Sequence, residues 1–563
     1  MKRFPHVFRP FFEKNKLLKG KKNILLWLLI LVPVVIHLIV LDKFSINFPF
    51  EDGHRVFLDF SYNYLNAEKI SDKIILFFTP DNESRPFLIR ISLLIQLALF
   101  DKINFRYLLI AFNVYTFILV AIFIRRYWKS PPLLIVCSFS LLSLCNWELF
   151  FRSDVASYQL ASISLSILVF YLISNNPSGK SFIKNSIILV CLFLVPFGSA
   201  VGFITVFFVL VYAIIRKTNP KWYFILSLFI LQLYLYYSFG TENATSDGLF
   251  QNVLKYKFEL IWAYFMSLGG VFQLMSNSIS FTISGIFGII IFTVCSWFLL
   301  RNWKQKDLDF EKLVFLFMAS SLAIIVLNRY NYWVIGYESV LVPRYKIYGV
   351  IILILAISFV FKQVNTRFIK NSLPIGVICL YVFWLLKSWY SVTLKKETQM
   401  MDAYNLEKNM VRNERANNTF EARYKYDYLK KNGYFDASEL YNEVLNMVQN
   451  GTVVYPEKVV LKYVDFDPTF ESDWGGKNTI LNKIFVSGKF PVSDTYFIQL
   501  IDKNNKAIIL NGFRRPNSVL KRLVAKERQI DFLSKEFEME YFKLEKPLTC
   551  RVICINPVYS VSK

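Results

Sequence analysis

The sequence predicts a polytopic α-helical membrane protein of about 11–13 transmembrane helices, followed by a C-terminal α+β domain. Hydrophobic residues make up 55% of the chain and mean hydropathy is +0.38, which is too apolar for a soluble globular protein. Apolar stretches of membrane-spanning length recur between residues 24 and 391. Short basic segments separate many of these stretches, as they do in the cytoplasmic loops of membrane proteins.

The predicted spans differ in how they are expected to cross. The stretch 183–215 is split by Pro196-Phe197-Gly198-Ser199, which suits either a turn or a kink in one bent helix. We expect a turn, because more than about 30 residues is too long for one crossing. The segment 257–277 contains Gly269 and Gly270, which permit a re-entrant break. The apolar stretches lie at about 24–41, 107–124, 132–150, 155–174, 183–197, 199–215, 221–238, 257–277, 280–300, 311–327, 343–361 and 373–391.

Sidedness follows from the distribution of Lys and Arg. The segment 86–101 carries Arg90 and Gln96, and we interpret it as an amphipathic helix on the outer interface. If it and 257–277 do not cross, the basic N-terminus at 1–23 lies in the cytoplasm and the C-terminal domain outside a cell's cytoplasmic membrane. The segments assigned to the cytoplasmic side include Arg125-Arg126, Lys180, Arg216-Lys217, Arg301 and Lys362. The run 24–41 lacks a small-residue cleavage site and is expected to be a retained first span.

The character of the chain changes at residues 392–563, which we predict to be an extracytoplasmic domain. Residues 395–450 are charged and helix-prone, whereas 453–563 is β-rich, and a β-sandwich is expected. A turn is predicted at 502–505. The predicted strands lie at 459–464, 496–501, 507–510 and 550–554.

Cys550 and Cys554 are the one close pair among the seven cysteines. In a strand these positions are too far apart for a disulfide, and further zinc ligands are missing from the sequence around them. We therefore interpret both as small buried apolar residues.

Candidate chemistry begins in the predicted first outer loop, residues 42–106. Adjacent carboxylates at Glu51 and Asp52 suit a divalent cation such as Mg or Mn, or one of them suits a general base. His54 is a further candidate metal ligand. The alternative is a solvated turn, because Glu-Asp-Gly is ordinary turn chemistry.

A second motif, Asn82-Glu83-Ser84-Arg85, opens the segment 86–101. Capping of a helix accounts for Asn82 and for Glu83. It does not account for Arg85, which lies at the disfavoured end of the helix dipole, whereas an anionic ligand at that helix start would.

Two more polar groups lie at predicted outer helix ends. The first contains Trp147, Glu148, Arg152 and Asp154, and pairing of Arg152 with Asp154 or Glu148 is the alternative to ligand binding. The second contains Arg329 followed by Tyr330, and Arg344 followed by Tyr345. Arginine can grip a phosphate through two parallel hydrogen bonds while a neighbouring tyrosine anchors at the interface.

Over residues 24–391, the order and spacing of these motifs resemble the polytopic GT-C glycosyltransferase superfamily, and within it a largely uncharacterised bacterial group. This chain departs from the group's usual motifs at Gly53, Ser84 and Pro343, where Trp, His and Ser are common. The segments that carry the resemblance are Glu51-Asp52, Asn82-Glu83-Ser84-Arg85, Asn146-Trp147, Phe197-Gly198-Ser199-Ala200-Val201-Gly202 and Pro343-Arg344-Tyr345.

The resemblance implies transfer of a sugar from a polyprenyl-phosphate carrier to a glycan, lipid or protein acceptor on the outer membrane face. Asp52 would be the general base or a metal ligand, with Glu51 or Glu83 assisting. Arg85 and Arg344 would hold the lipid phosphate as it departs. These residues are then expected to converge on one cavity.

The alternatives are a transporter or flippase and a non-enzymatic membrane scaffold. A transporter or flippase for lipid-linked saccharides would favour mid-span charges and an internal repeat, and the sequence has few of the former and no visible repeat. A non-enzymatic membrane scaffold leaves the ordered polar motifs unexplained. Nucleic-acid binding is not expected, because no soluble domain has a dominant basic run.

Overall fold

The computed structural model is mostly helical, with a small sheet region near the C-terminus. It divides into two compact units. The first contains residues 1–43, 77–88 and 110–389, and the second contains 44–76, 89–109 and 390–563. The structure describes residues 21–50, 53–79, 86–175, 182–216, 221–238, 253, 255–275, 277–329, 337–364, 366–408, 419–464, 481–491, 495–505, 507–511, 513–514, 529–537 and 548–555.

Each predicted apolar stretch forms a helix. The main helices of the first unit are Lys21–Phe44, Val114–Arg126, Pro131–Leu141, Trp147–Phe151, Ala161–Ser174, Phe182–Gly198, Gly202–Ile215, Lys221–Ser238, Lys257–Leu268, Ser278–Arg301, Asp309–Asn328 and Lys346–Gln363. The helices in or entering the second unit are Phe60–Asn66, Ile70–Phe78, Phe87–Phe100, Phe105–Phe112, Arg367–Glu407, Thr419–Lys431 and Ser438–Asn450.

Within the described residues, 8 helices are long and apolar enough to cross a membrane. This architecture is that of a multi-pass helical membrane protein. The candidate spans are Leu26–Phe44, Phe105–Arg126, Pro131–Phe151, Ser153–Ser174, Ser278–Arg301, Lys306–Asn328, Pro343–Gln363 and Phe368–Glu407.

Both predicted interruptions of spans are present. Between Phe182–Gly198 and Gly202–Ile215 the chain turns, and the Gly202 N–H donates to the Ser199 carbonyl at 2.7 Å. The helix Lys257–Leu268 is about 18 Å long, shorter than the ~30 Å hydrocarbon core, and it stops at the predicted glycine pair.

Glycine allows this short helix to pack closely on its neighbour Ser278–Arg301. A Cβ added at Gly269 would overlap the main-chain oxygen of Ser284, and one added at Gly288 would overlap that of Phe265. Small residues at such a crossing let two helix backbones approach, as is common in membranes.

An ion-pair network lies at one end of the first unit. Arg126 pairs with Glu311 at 2.7 Å, and Asp309 binds both Arg216 at 2.5 Å and Lys312 at 3.1 Å. Lys312 Nζ also donates to the main-chain oxygen of Trp303 at 2.6 Å. The network thus gathers three basic segments that the positive-inside rule assigned to one side.

In the second unit the first loop packs on C-terminal helices. The Phe105 ring stacks edge-on against both Phe57 and Phe435, at centroid distances of 5.0 Å. The Asp59 carboxylate pairs with Lys425 Nζ at 3.1 Å. These contacts join residues that are far apart in sequence into one core.

The segment 86–101 contains a helix, Phe87–Phe100, as predicted, but its polar residues face the protein. Arg90 is buried, with its guanidinium 5.4 Å from the Phe60 ring, and Gln96 exchanges two hydrogen bonds with Asn104. The exposed residues of the helix are apolar instead. Arg90 and Gln96 therefore do not form the water-facing polar side that an amphipathic interfacial helix requires.

The C-terminal strands form two antiparallel four-stranded sheets, ordered β1-β8-β4-β5 and β2-β3-β7-β6. Side chains from both sheets, including Ile484, Tyr496, Ile508 and Val552, share one hydrophobic core. The strands are β1 Thr452–Val454, β2 Lys458–Val464, β3 Leu481–Pro491, β4 Thr495–Ile501, β5 Ala507–Asn511, β6 Phe513–Arg514, β7 Gln529–Phe537 and β8 Thr549–Ile555. All four predicted strands are present.

The predicted turn between β4 and β5 is also present. The Asp502 carboxylate accepts from the Asn504 N–H at 2.8 Å, and Asn505 adopts a φ of 63°. Asparagine tolerates this left-handed conformation better than most residues, which explains its place here.

Both cysteines of β8 are free thiols; Cys554 is buried, as predicted, whereas Cys550 is only partly buried. Cys554 lies in the shared core. Burial raises the pKa of the Cys550 thiol to about 12, so neither residue has the character of a reactive thiolate.

One side chain of the helix Arg367–Glu407 binds a strand edge. The Asn405 amide donates to the Ile509 carbonyl at 2.9 Å and accepts from the Ile509 N–H at 3.2 Å. Because β5 is the last strand of its sheet, Asn405 satisfies main-chain groups that no further strand pairs.

Candidate functional site

An ion pair joins two of the sequence motifs at one helix end of the first unit. Arg344 Nη1 donates to Glu148 Oε2 at 3.0 Å, across 196 positions of sequence. The two side chains are 17% and 11% exposed, so solvent reaches the pair only partly. Within the span Pro131–Phe151, Glu148 lies at the end opposite to Arg126 and its ion-pair network.

Local turn chemistry positions both partners. Before Glu148 the chain leaves Pro131–Leu141 and makes a turn at Leu144–Asn146, with the Ser143 hydroxyl accepting from the Cys145 N–H at 3.3 Å. Before Arg344, Pro343 begins the short turn Pro343–Tyr345. The two turns pack against each other, which brings the motifs together.

A third segment binds the Arg344 backbone. Gln159 lies in a widened helical turn, Ala156–Leu160, and its Nε2 donates to the Arg344 carbonyl at 3.0 Å. Such wide turns often occur at functional sites in helices. Gln159 thereby holds the Arg344 main chain while Glu148 holds its side chain.

Tyr345 carries two arginines on its ring. The guanidinium carbon of Arg344 lies 5.3 Å from the ring centroid, and that of Arg329 lies 6.0 Å from it. Arg329, Arg344 and Tyr345, three of the predicted binding residues, are therefore neighbours. An aromatic ring attracts a nearby cation without neutralising its charge.

Arg152 has a different setting. It is buried and pairs with Asp154 at 2.8 Å, and the Ser157 hydroxyl donates to the Asp154 carbonyl at 2.6 Å. This is the internal pairing that the sequence left open as the alternative to ligand binding. Trp147 is half-buried at the start of its short helix.

Sequence reasoning missed a second basic group beside these residues. Lys346 is buried at the start of Lys346–Gln363, with Nζ 4.0 Å from the centroid of the Trp384 ring. Lys387 Nζ lies 4.7 Å from the same centroid. The available signal was a lysine inside the apolar stretch 343–361, directly after Arg344 and Tyr345.

Four predicted site residues, Glu51, Asp52, Glu83 and Arg85, lie outside the described residues, as does Tyr330. The structure describes the positions flanking the first pair. The Gly53 N–H donates to the Phe50 carbonyl at 2.9 Å, and the buried Lys395 has its Nζ 5.7 Å from the Phe50 ring.

Asp52 and His54 are the candidate metal ligands predicted from the sequence, and Asp52 lies outside the described residues. In the described part of the chain, no three His, Cys, Asp or Glu side chains are grouped as metal ligands would be. The His54 ring is buried and packs edge-on against Phe48 at 5.1 Å.

No protein-family model matches the chain, and no curated protein matches it either.

Proposed function

We propose that the chain is a membrane glycosyltransferase that moves a sugar from a polyprenyl-phosphate donor to a cell-envelope acceptor. The observation that carries this proposal is the Glu148–Arg344 pair, which brings two ordered motifs together at one helix end. Around it, Arg329, Tyr345 and Gln159 add cationic and polar groups beside membrane-spanning helices. Such a site suits a ligand with an apolar tail and an anionic head.

The proposed reaction has a simple balance. Asp52 accepts the proton of an acceptor hydroxyl, whose oxygen forms a new bond to the anomeric carbon of the sugar. The bond from that carbon to the phosphate oxygen breaks, and its electron pair leaves with the lipid phosphate. Arg344 and Arg85 stabilise the charge that develops there, and Glu51 or Glu83 positions the acceptor.

Arg344 has a defined part in this scheme. Its charge is matched by Glu148 in the absence of substrate, so a departing phosphate would compete with a carboxylate for the same guanidinium. The five N–H donors of the guanidinium allow it to keep one contact with Glu148 while it gains others with phosphate.

The proposal also includes sidedness. The end of the first unit that contains Glu148 and Arg344 would face the outside of the cytoplasmic membrane, and the network at Arg126 and Asp309 would face the cytoplasm. The C-terminal sheets would then form an extracytoplasmic β-sandwich, beside the glycan, lipid or protein acceptor.

Purification of the full chain with its native lipids tests the function directly. We expect mass spectrometry to detect a co-purified polyprenyl-phosphate sugar, and we expect Asp52→Asn to abolish sugar transfer while retaining the lipid. The matched control is Glu68→Gln, an exposed carboxylate of the same loop, which should leave transfer unchanged. Full transfer by Asp52→Asn would reject the proposed base, and absence of transfer by the wild-type chain with its bound lipid would reject the enzyme.

A further inference from the structure

Lys346 has a charge that its described surroundings do not balance. The residue is 3% exposed, and no ion pair in the described part of the chain joins it to a carboxylate. The nearest acidic motif residue, Glu148, is engaged by Arg344. A buried ammonium without a counter-ion is costly, because the desolvation penalty of the charge is not offset.

The ammonium group of Lys346 lies over the indole ring of Trp384. Trp384 is buried and its Nε1 donates to the Val271 carbonyl at 2.8 Å, which fixes the ring plane. Lys346 Nζ lies 4.0 Å from the ring centroid and Lys387 Nζ lies 4.7 Å from it. The attraction of a cation to an aromatic face offsets only part of the desolvation of an ammonium.

Lys387 adds a second positive charge. Its Nζ donates to the carbonyls of Gln273 at 3.2 Å and Leu274 at 3.0 Å, which are neutral acceptors. By formal charge, Arg344, Lys346 and Lys387 contribute three positive charges and Glu148 contributes one negative charge. The group therefore has a formal excess of two positive charges beside membrane-spanning helices.

The stem of Lys346 is held by the break after the short helix Lys257–Leu268. A Cβ added at Gly270 would lie 3.5 Å from Lys346 Cγ and 3.3 Å from Leu341 Cδ2. These distances place the lysine stem directly beside Gly270. On the adjoining turn, the buried side-chain amide of Asn146 has no hydrogen-bond partner among the described residues.

We propose that Lys346, held on Trp384 beside Lys387, binds the phosphate of an anionic amphiphile. This inference rests on the function proposed above, since it gives the lipid phosphate a binding residue that the motifs do not include. A phosphate at this position contacts Lys346 directly. It then lies next to the turn Pro343–Tyr345, which contains Arg344. The unpartnered Asn146 amide offers a donor and an acceptor to the group attached to that phosphate.

Direct binding to the full chain in detergent tests the site without any sugar transfer. The probes are farnesyl phosphate, farnesol and inorganic phosphate, measured by calorimetry. We expect farnesyl phosphate to bind the wild-type chain, and Lys346→Met to weaken that binding at least tenfold. Lys346→Arg retains the charge and should restore most of the affinity, and the control Lys304→Met, an exposed lysine at the other helix end, should bind as wild type.

The outcomes separate the site from the function. Equal affinity of Lys346→Met and wild type for farnesyl phosphate overturns the site, as does a wild-type chain that binds none of the probes. Equal affinity for farnesol and farnesyl phosphate also overturns it, because the phosphate is then not recognised. Binding of inorganic phosphate alone, lost in Lys346→Met, supports an anion site but rejects the amphiphile. If Lys346→Met loses farnesyl phosphate binding and the wild-type chain transfers no sugar, the binding site is supported and the transferase function is rejected.

Discussion

Glu148 and Arg344 form an ion pair of 3.0 Å between two turns that are packed together at the ends of separate helices. Each turn is short, and neither holds its charged residue by local hydrogen bonds alone. The pair therefore links the geometry of one motif to that of the other. Substitution of either residue is therefore expected to disturb the geometry of both motifs.

Neutralising one member should cost more than neutralising both. Glu148→Gln leaves Arg344 partly buried beside a weaker acceptor, and we expect a loss of about 1–3 kcal/mol in stability. Arg344→Met should cost a similar amount, and the double variant should recover part of it. Thermal unfolding in detergent measures all three, and additive losses would show that the two residues are not coupled.

The carboxylate of Asp309 is expected to stabilise the opposite helix end. It binds Arg216 and Lys312 at once, so Asp309→Asn leaves two cations without their shared partner. We expect a loss of about 1–3 kcal/mol, measured by thermal unfolding. Asp307→Asn is the control, because that side chain is exposed two positions away. Equal stability of the two variants would contradict the role given to Asp309.

Helix crossing at Gly288 should not tolerate a methyl group. In Gly288→Ala the new Cβ meets the Phe265 carbonyl, so the two helices must separate, and we expect a loss of about 1–3 kcal/mol. Gly376→Ala is a matched control, since a Cβ there meets nothing within 4 Å. Alanine at Gly376 should be neutral or stabilising by up to about 1 kcal/mol, because it favours the helix. A Gly288→Ala chain as stable as wild type would contradict the close approach.

Thiol chemistry at β8 should depend on unfolding. Because burial raises the pKa of Cys550 to about 12, roughly one molecule in ten thousand carries the thiolate at pH 8. We expect Cys550 and Cys554 to resist iodoacetamide in the folded chain and to react after denaturation in SDS. Peptide mass spectrometry distinguishes them, and raising the pH from 8 to 9 should speed folded-state labelling of Cys550 about tenfold. Rapid labelling at pH 8 would show that the strand is open.

The helices could be predicted because membrane spans carry a strong local signal of length and hydropathy. The strand β3 could not, since Gly488 stands at an inward position between Val486 and Phe490 and the register shifts between Ser487 and Phe490. A β-bulge or similar irregularity is set by the partner strand, which a single sequence segment does not show.

The residues of the candidate site could be predicted in kind, whereas their pairing could not. Positive charge near a helix end indicates an interface, and this pattern alone gives Lys346 no distinct role. Lys346 is buried against Trp384 and beside Gly270, which are distant in sequence and carry no charge. Likewise, the sequence leaves open whether Arg152 pairs with Asp154 or with Glu148. In the structure Asp154 pairs with Arg152, and Glu148 pairs with the distant Arg344.

The Asn405 side chain has a consequence for how the C-terminal region can be handled as a fragment. A chain starting at the first strand would lack Asn405, and the outward N–H and C=O of Ile509 would be open to pairing with another molecule. Self-association through β5 is the expected outcome of such a truncation. A fragment that retains the last turns of Arg367–Glu407 keeps the main-chain groups of Ile509 paired with Asn405 and should remain monomeric.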